Sequence, residues 1–343
     1  MTALAARKIA HHNPRLPLLP FAGIDAVIVN YNAGILLLQA AASAFNAGVR
    51  RVIIVDNGSR DQSLAMIERA LAAEFAVGRL VVIRNHANLG FSAACNIGAK
   101  SSDAKIILFL NPDAVLPGDG LVVMQRVLLS ADHIGMVGGF LANPDGSEQR
   151  GGRCYLPTPW RAFAHGFGLT GLTRTLARRF PRQKFLAKLA HICTGHEMTH
   201  LPVPSSPVAM ELISGSCMLV RHRALQEIGH WDEGYFLYAE DYDLCARFAA
   251  AGWGIYFCPT VKITHRRSAT TSRRPYFVAW HLHKGLLRYY RKFWRNRKGS
   301  WGMGYVLWPL VVMGIAARFL VKIGLAVMGD GKRIMRKIMP STA

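Results

Sequence analysis

Residues 24–59 read IDAVIVNYNAGILLLQAAASAFNAGVRRVIIVDNGS, and this stretch sets the architecture of the chain. Two short apolar runs, at 24–29 and 51–55, flank a segment with helical character at 34–46. The alternation continues with predicted helices at 61–75 and 92–100 and predicted strands at 80–83 and 105–110. Strands that alternate with helices are typical of a parallel sheet with helices on both faces. The nearly continuous apolar character of each strand agrees, because such strands are buried on both faces.

The chain changes character after this alternation. Residues 140–210 are rich in Pro, Gly, Arg and His and have weak periodicity, so we expect an excursion from the sheet, either a partly mobile lid or an acceptor-side subdomain. Later predicted elements are a strand-like segment at 212–220, a helix at 238–251 and short strands at 254–258 and 261–264. We therefore predict a loose leader at 1–22, an α/β domain with a Rossmann-like, mixed and mostly parallel sheet at 23–270, and a basic, apolar helical region at 271–343.

Positive charge is concentrated in two stretches of the 343-residue chain. The chain has 42 Lys and Arg against 20 Asp and Glu, a net charge of +22. Residues 150–188 hold nine basic residues and no acid, and residues 271–343 hold fifteen basic residues and one acid, Asp330. Such patches suit a polyanion, which can be nucleic acid, anionic lipid or a phosphate-bearing substrate, although a solvated basic face has the same composition.

The C-terminal region mixes basic, aromatic and apolar residues. Its uncharged run at 301–317 has 17 residues, the lower limit for crossing a bilayer, and Arg318 and Lys322 interrupt the apolar sequence that follows. A transmembrane helix, an in-plane amphipathic pair of helices and a soluble helical hairpin all fit. We favour the in-plane pair, because Trp and Tyr stand beside basic residues that suit lipid headgroups.

The N-terminus and the cysteines indicate a cytoplasmic setting. Residues 1–20 lack the apolar core of a signal peptide, so we expect the α/β domain to stay in the cytoplasm. The six cysteines form no CxxC pair and lie in apolar segments: Cys95, Cys154, Cys193, Cys217, Cys245 and Cys258. This distribution predicts buried free thiols in a reducing compartment and argues against a zinc site.

Polar residues follow all four predicted strands of the first half. They lie at 30–32, 56–59, 84–85 and 111–113, directly after apolar runs. Because ligands of open α/β sheets bind at the carboxyl ends of the strands, four polar ends together predict a binding site there.

Two of these ends carry acids with alternative interpretations. Asp56 is placed to accept a hydrogen bond from the imide N–H of uracil or thymine, but Asp-Asn-Gly-Ser is equally a turn and helix-cap sequence. Asp113 could hold Mg²⁺ or Mn²⁺, which prefer carboxylate oxygen, with His265 as an imidazole ligand after a later strand. The alternatives are that Asp113 is an ordinary turn residue and that His265 serves packing or the surface.

A third group of acids opens the predicted helix at 238–251. Glu240, Asp241 and Asp243 lie in its first turn, where the helix dipole favours negative charge whatever the function. The functional interpretation is that Asp241 points into a cleft as a general base, with its pKa raised by burial and neighbouring carboxylates. Asp243 and Arg247 are four residues apart, which predicts a supporting ion pair.

Taken together, these segments resemble the rhamnosyltransferase-like branch of the family 2 glycosyltransferases, which have the GT-A fold. The matching segments are AVIVNYN at 26–32, VDNGS at 55–59, NHANLGF at 85–91 followed by Asn96, FLNPD at 109–113, SGSCML at 214–219, FLYAEDYDL at 236–244 with Arg247, and ITH at 263–265. The resemblance covers roughly residues 24–295, and the joint pattern is far more specific than any one segment.

The resemblance implies an inverting, single-displacement transfer of a sugar from a nucleotide diphosphate, dependent on Mg²⁺ or Mn²⁺. It implies that Asp241 is the base, that Asp113 is the remaining acid of a DXD metal motif and that His265 is a further metal ligand. Residues predicted to bind the nucleotide sugar are Asn30, Asn32, Asp56, Asn57, Asn88, Gly90, Asn111 and Glu240. Asn111 stands where the motif has its first acid, which puts the metal affinity and the number of protein ligands in question.

The branch implies rhamnose from dTDP-rhamnose as donor substrate, with a UDP-hexose as the alternative, and a lipid-linked polyprenyl-diphosphate glycan as acceptor in O-antigen or cell-wall synthesis. The basic stretches suit such an acceptor at an anionic membrane surface, on the cytoplasmic face of the plasma membrane. A nucleic-acid-binding protein is the competing class, but neither a basic recognition helix nor an aromatic-studded sheet motif is found. An inactive scaffold with the same fold would be expected to have lost Asp113 or Asp241, and both are present.

Overall fold

The structure is a computed structural model that describes residues 23–159, 161, 169–180, 182–183, 185–186, 189, 196–266, 274–295 and 303–338. The chain divides into two compact units. The first comprises the described residues within Met1–Leu156, Glu197–Gly234 and Asp241–Ala269, and the second those within Pro157–His196, Tyr235–Glu240 and Thr270–Ala343. The predicted leader at 1–22 and Cys193 lie outside the described residues.

The described strands all belong to the first unit. They are β1 Ile24–Asn30, β2 Arg51–Asp56, β3 Leu80–Arg84, β4 Ile106–Leu110, β5 Ala114–Val115, β6 Ile134–Ala142, β7 Arg153–Cys154, β8 Val208–Ala209, β9 Leu212–Ile213, β10 Cys217–Arg221 and β11 Gly254–His265. The described helices are α1 Ile35–Asn46, α2 Ser63–Ala70, α3 Ala72–Ala76, α4 Phe91–Lys100, α5 Gly120–Leu129, α6 Leu169–Arg179, α7 His222–Glu227, α8 Glu240–Ala250, α9 Pro275–Tyr290 and α10 Met303–Ile338.

The first unit is built on one nine-stranded mixed sheet with the order β3-β2-β1-β4-β10-β6-β11-β5, with β8 paired beside β11. β1 pairs in parallel with β2 and β4, and β2 pairs in parallel with β3, as the βα alternation predicted. β10 runs antiparallel between β4 and β6 and so makes the sheet mixed. β7 and β9 form a separate two-stranded sheet.

Both faces of the sheet are covered by apolar side chains. Along β1, Ile24, Ala26 and Ile28 belong to one buried cluster, whereas Val27 and Val29 belong to the other. Successive strand residues point to opposite faces, so a strand buried on both sides must be apolar throughout. The continuous apolar runs therefore predicted the layer arrangement correctly. The five described cysteines are buried thiols that form no disulfide bonds with one another, as expected.

Three predicted elements differ in detail from those observed in the structure. The helix expected at 61–75 is two helices, because Leu71 leaves the helical conformation at φ −115° and ψ 35°. The strand-like segment at 212–220 is split between β9 and β10 by the loop 214–216. The short strands expected at 254–258 and 261–264 are one strand, β11, whose register with β6 shifts between Cys258 and Lys262. Pro259 lies in this interval and lacks the N–H needed for the ladder.

In the second unit, α9 and α10 contact each other through aromatic rings. The ring of Phe319 in α10 lies 6.2 Å from that of Trp280 and 5.4 Å from that of His283, both in α9. A π-helical turn, Arg291–Arg295, follows α9. Within the described part of the chain, no helix combines the length and the apolar character needed to cross a bilayer. The helical character predicted for the C-terminal region is thus present, and its membrane association remains a prediction.

Candidate functional site

The carboxyl ends of β1 and β2 are tied together by one buried amide. Asn30 Nδ2 lies 2.7 Å from Asp56 Oδ1, 3.0 Å from Ser59 Oγ and 2.8 Å from Ser63 Oγ, and its two N–H groups are shared among these three acceptors. The Asn57 N–H donates to the Asn30 carbonyl at 2.8 Å, so the ladder continues past the strands. Asn30 therefore stabilises the turn at the end of β2 by hydrogen bonds, a role that its strand-end position alone does not indicate.

Asp56 is buried, and both of its carboxylate oxygens have partners. Oδ1 accepts from Asn30, and Oδ2 accepts from the Ser59 N–H at 3.0 Å. The turn role left open by the sequence is thus realised. A carboxylate has about four acceptor positions, so these two bonds leave capacity for a ligand N–H. The predicted contact with a pyrimidine stays a prediction.

Asn57 connects the end of β2 to the loop after β3. Its Nδ2 donates to the Gly90 carbonyl at 3.0 Å and to Asn88 Oδ1 at 3.3 Å, and its Oδ1 accepts from Asn85 Nδ2 at 2.8 Å. Asn88 Oδ1 also accepts from the Gly90 N–H at 2.9 Å. Gly90 has φ 88°, a left-handed conformation that favours glycine. These three side chains and this glycine form one connected hydrogen-bond network at the strand ends.

Asn32 lies at the entrance to the same region. It has φ 55°, and its side chain is exposed while Oδ1 accepts from the Arg60 N–H at 2.7 Å. Asn tolerates the left-handed region better than most residues, so the residue type suits the turn. Direct hydrogen bonds thus join Asn30 to Asp56 and to Asn57, whereas Asn32 is connected to the same turn through Ser59 and Arg60.

Asp113 and His265 meet, although 152 positions separate them in the sequence. His265 Nε2 lies 3.1 Å from Asp113 Oδ1, and both side chains are buried. The contact arises because β5, which follows Asp113, pairs with the end of β11, where His265 is the last residue. The pairing of a carboxylate with an imidazole is what the predicted metal site requires.

The surroundings of this pair fit a divalent cation. Asn111 Oδ1 is buried and has no hydrogen-bond partner within the described structure, and Asn111 belongs to the same turn as Asp113, so this amide oxygen could complement the carboxylate and the imidazole. No group of three or more His, Cys, Asp or Glu with metal-binding geometry occurs among the described residues. Protein ligands from Asp113, His265 and the Asn111 amide would leave further positions to phosphate oxygens and water, which Mg²⁺ commonly keeps.

Gln149 is a site residue that the sequence did not suggest. It is buried, its Oε1 lies 2.5 Å from His265 Nδ1, and its Nε2 donates to the His265 carbonyl at 2.9 Å. The residue comes from the segment at 140–210, which lacks periodicity, and 116 positions separate it from His265. No local sequence signal connects two residues at that distance.

The loop 214–216 links the Asp113 turn to Asp241. The Asn111 N–H donates to the Ser216 carbonyl at 2.9 Å, and the Gly215 N–H donates to Asp241 Oδ2 at 3.2 Å. Asp241 Oδ1 accepts from the Tyr242 N–H at 3.0 Å. The candidate base and the turn that carries Asp113 are therefore hydrogen-bonded to the same three-residue loop.

Asp241 is the acid whose environment suits proton transfer. Burial raises its pKa to about 6, although the N–H groups of Gly215 and Tyr242 favour the ionised form. Asp243, two residues later, is buried and paired with Arg247 at 2.5 Å, as the spacing predicted. The first turn of this helix therefore holds two different carboxylates: Asp241, with a raised pKa, and Asp243, which forms an ion pair.

The turn before this helix is strained. Tyr238 and Ala239 have φ 68° and 67°, so the predicted helix at 238–251 begins only at Glu240, whose side chain is half-buried. Within the second unit, a Cβ atom on Gly285 of α9 would lie 2.6 Å from the Tyr238 carbonyl oxygen. Two consecutive left-handed residues that are not glycine persist only where packing holds them.

Comparison with known families identifies the class. The family model of glycosyl transferase family 2 matches residues 25–198, half of the chain, and that of glycosyl transferase family group 2 matches residues 173–330. The chain belongs to glycosyl transferase family 2, and it is a glycosyltransferase.

Its curated relatives are rhamnosyltransferases. The chain is 28% identical to the N-acetylglucosaminyl-diphospho-decaprenol L-rhamnosyltransferase of Mycobacterium tuberculosis over 303 residues, which are 84% of this chain and 89% of the relative. It is 35% identical to rhamnosyltransferase WbbL of Escherichia coli over 100 residues, 28% of this chain and 37% of the relative. The resemblance inferred from the motifs is confirmed.

Solved structures share the fold. The mannosyltransferase PcManGT of Pyrobaculum calidifontis, solved with GDP-Man and Mn²⁺, has a TM-score of 0.52 at 14% identity. The match covers 91% of this chain and 79% of the PcManGT chain. GalNAc-T7, solved with UDP, GalNAc and Mn²⁺, has a TM-score of 0.50 at 14% identity. The match covers 71% of this chain and 44% of the GalNAc-T7 chain. The predicted GT-A-like fold is thus confirmed.

Proposed function

We propose that the protein is an inverting rhamnosyltransferase that moves rhamnose from dTDP-rhamnose to a polyprenyl-diphosphate-linked glycan in cell-envelope synthesis. The observation that carries this proposal is the likeness to a diphospho-decaprenol rhamnosyltransferase over 84% of the chain. We place the reaction on the cytoplasmic face of the plasma membrane, where such an acceptor presents its headgroup.

The donor would lie across the strand ends of the first unit. Asp56 is proposed to accept from the pyrimidine imide N–H, with Asn30 and Asn57 holding the turn that positions it. The turn containing Asn88 and Gly90 would line the sugar-nucleotide pocket beside it. Asn32 completes the proposed donor-binding set of the first unit, and the role of Glu240 stays a prediction from the sequence.

Asp241 is proposed as the general base. Its carboxylate would take the proton of the acceptor hydroxyl while the acceptor oxygen forms a bond to the sugar C1 and the bond from C1 to the donor phosphate oxygen breaks. The electron pair of the broken bond leaves with the nucleoside diphosphate. A single displacement of this kind inverts the anomeric configuration, and a pKa near 6 keeps the base largely ionised at neutral pH.

Asp113 and His265 are proposed to hold a divalent cation, with the Asn111 amide oxygen as a further ligand. The cation would supply charge neutralisation to the diphosphate leaving group. The residues contribute two oxygen atoms and one imidazole nitrogen, a set compatible with either Mg²⁺ or Mn²⁺.

A donor panel tests the substrate. Full-length protein is incubated with a short-chain polyprenyl-diphosphate N-acetylglucosamine and, separately, with dTDP-rhamnose and a series of UDP-hexoses. We expect metal-dependent transfer that is fastest with dTDP-rhamnose. Faster transfer from a UDP-hexose would replace rhamnose by that sugar, and no transfer from any donor would contradict the whole proposal.

The second unit is proposed to bind an anionic membrane surface. It holds 22 of the 42 Lys and Arg but only 2 of the 20 Asp and Glu, so it carries nearly all of the net charge of +22. A unit with this positive charge is expected to bind polyanions. Basic residues near an anionic leaflet contribute roughly 1 kcal/mol each to membrane binding.

The outer face of α10 supplies the apolar part of that interaction. Five large apolar residues of this helix are each more than half exposed: Leu310, Met313, Leu320, Val321 and Val327. At about 100° per residue they share a stripe about 120° wide, on the side opposite Phe319, which packs against α9. Arg318 and Lys322 are the charged residues between 303 and 327, and they lie to one side of the stripe. This arrangement is typical of a helix in the membrane interface.

Vesicle flotation tests the membrane proposal. We expect the full-length protein to float with vesicles of phosphatidylcholine and phosphatidylglycerol, less with phosphatidylcholine alone, and to be partly released by salt. The double change Leu310→Gln with Leu320→Gln should lower binding by at least roughly tenfold, because each buried Leu contributes about 1.5–3 kcal/mol. Val77→Gln, at an exposed apolar position of the first unit, is the matched control. Equal flotation of the double variant and this control would exclude the stripe as the contact.

A further inference from the structure

The hydrogen bonds around His265 have a single consistent direction. Asp145 Oδ1 accepts from the Ser147 hydroxyl at 2.6 Å, and Ser147 Oγ accepts from Asn143 Nδ2 at 3.0 Å. The Asn143 Oδ1 atom then accepts from Gln149 Nε2 at 3.1 Å. Because a carboxylate is the acceptor at one end, each following group is oriented with its donor toward the previous one.

The orientation of the Gln149 amide is fixed twice over. Its Nε2 donates to the backbone carbonyl of His265 at 2.9 Å as well as to Asn143, and both partners are acceptors. The oxygen, Oε1, is therefore the atom that faces His265 Nδ1 at 2.5 Å. An amide oxygen only accepts, so Nδ1 must carry a proton.

The tautomer of His265 follows from this contact. With its proton on Nδ1, a neutral imidazole presents the lone pair of Nε2, and that atom faces Asp113 Oδ1 at 3.1 Å. Two acceptors at this distance in a buried site repel each other, and either a second proton, on Nε2, or a divalent cation beside the pair removes that repulsion. The arrangement has the form of a metal-binding histidine whose second nitrogen donates to an outer partner.

We infer that Gln149 is a positioning residue that holds His265 in the Nδ1-protonated form, and so makes the pair of His265 and Asp113 a site for Mg²⁺ or Mn²⁺. This inference rests on the proposed metal role of the pair. Gln149 acts through His265 and needs no contact with the cation. Loss of the outer partner of a ligating histidine typically lowers metal affinity by roughly 10- to 100-fold.

Two measurements on the full-length protein test the inference. The first is long-range proton–nitrogen NMR of histidine-labelled, chelator-treated protein at pH 8, with His265 assigned by its loss in His265→Ala. We expect a proton on Nδ1. The second is Mn²⁺ binding followed by electron paramagnetic resonance without donor or acceptor. Gln149→Leu should bind Mn²⁺ roughly 10- to 100-fold more weakly than the wild type.

Asn143→Ala is the matched control. It removes the next link of the chain but leaves Gln149 bonded to the His265 carbonyl, so Mn²⁺ affinity should change less than about threefold. A bare Nδ1 in the wild type, or wild-type affinity in Gln149→Leu, would overturn the inference. If Gln149→Leu does not fold, the protonation of Nδ1 in the wild type decides alone. The proposed metal site itself fails by a different result, which is wild-type Mn²⁺ affinity in both Asp113→Ala and His265→Ala.

Discussion

Replacement of Asp241 by Asn should separate activity from stability. The change keeps the size of the side chain and removes its charge, so transfer should be abolished if Asp241 is the base. The same change should remove an energetic cost of the folded state. Burial raises the pKa of Asp241 from its ordinary value of 3.8 to about 6, which means that its ionised form is disfavoured in the folded protein.

The size of this cost follows from the pKa difference. A shift from 3.8 to about 6 at about 1.36 kcal/mol per unit corresponds to about 3 kcal/mol. Because the folded-state pKa is raised, the stabilisation from this carboxyl is fully present below pH 3.8 and is lost as the pH rises through 6. About 2 kcal/mol of the loss falls between pH 4.5 and 7.5.

Urea unfolding of the wild type and of Asp241→Asn at pH 4.5 and 7.5 measures this term. The free energy of unfolding of the variant, minus that of the wild type, should be about 2 kcal/mol larger at pH 7.5 than at pH 4.5. The new amide nitrogen will face the N–H of Gly215 or Tyr242, but this cost is the same at both pH values and cancels. Asp145→Asn is the control. Ser147 lowers the pKa of Asp145, so no such rise is expected.

A pH-independent difference between the Asp241→Asn variant and the wild type would refute the reasoning, because it would mean that Asp241 titrates normally in the folded protein. The pH dependence of kcat/KM gives a second reading of the same group. A base must be ionised, so kcat/KM of the wild type should rise with pH and reach half of its plateau near pH 6. Wild-type turnover by Asp241→Asn would exclude it as the base.

Three further changes probe the surroundings. Asp113→Ala should weaken donor binding, measured by calorimetry, only when Mn²⁺ is present, and an equal loss in chelator would contradict its metal role. Asn57→Ala leaves buried partners unpaired in the loop after β3, at a cost of about 1–3 kcal/mol, so donor Kd should rise by roughly 5- to 150-fold. An unchanged Kd would mean that this loop does not contribute to donor binding. Gly285→Ala places a methyl group 2.6 Å from the Tyr238 carbonyl oxygen and should lower the free energy of unfolding by about 1–3 kcal/mol, measured by thermal unfolding. Gly314→Ala, which has open space around it, is the control and should not destabilise the protein. Equal effects of the two changes would argue against the close contact at Gly285.

Local patterns were sufficient for the layer arrangement and for part of the site. A strand buried on both faces must be apolar throughout, so β1, β2 and β4 were recognisable from composition alone. The antiparallel insertion of β10 between β4 and β6 was not, because nothing in the sequence of a short apolar strand specifies its neighbours. The interruption of the helix at Leu71 and the continuity of β11 past Pro259 were likewise not predicted from local sequence.

The sequence by itself determined which chemical groups stand at the strand ends, since Asn30, Asp56 and Asp113 directly follow apolar runs whose carboxyl ends share one edge of the sheet. Only the tertiary structure decided what each group contacts. The approach of His265 to Asp113 and the amide of Gln149 behind it join positions more than 100 residues apart. The pKa of Asp241 depends on how much water the folded chain removes from it. Residue type and spacing carry the local information, whereas burial and long-range hydrogen bonds exist only once the chain has folded.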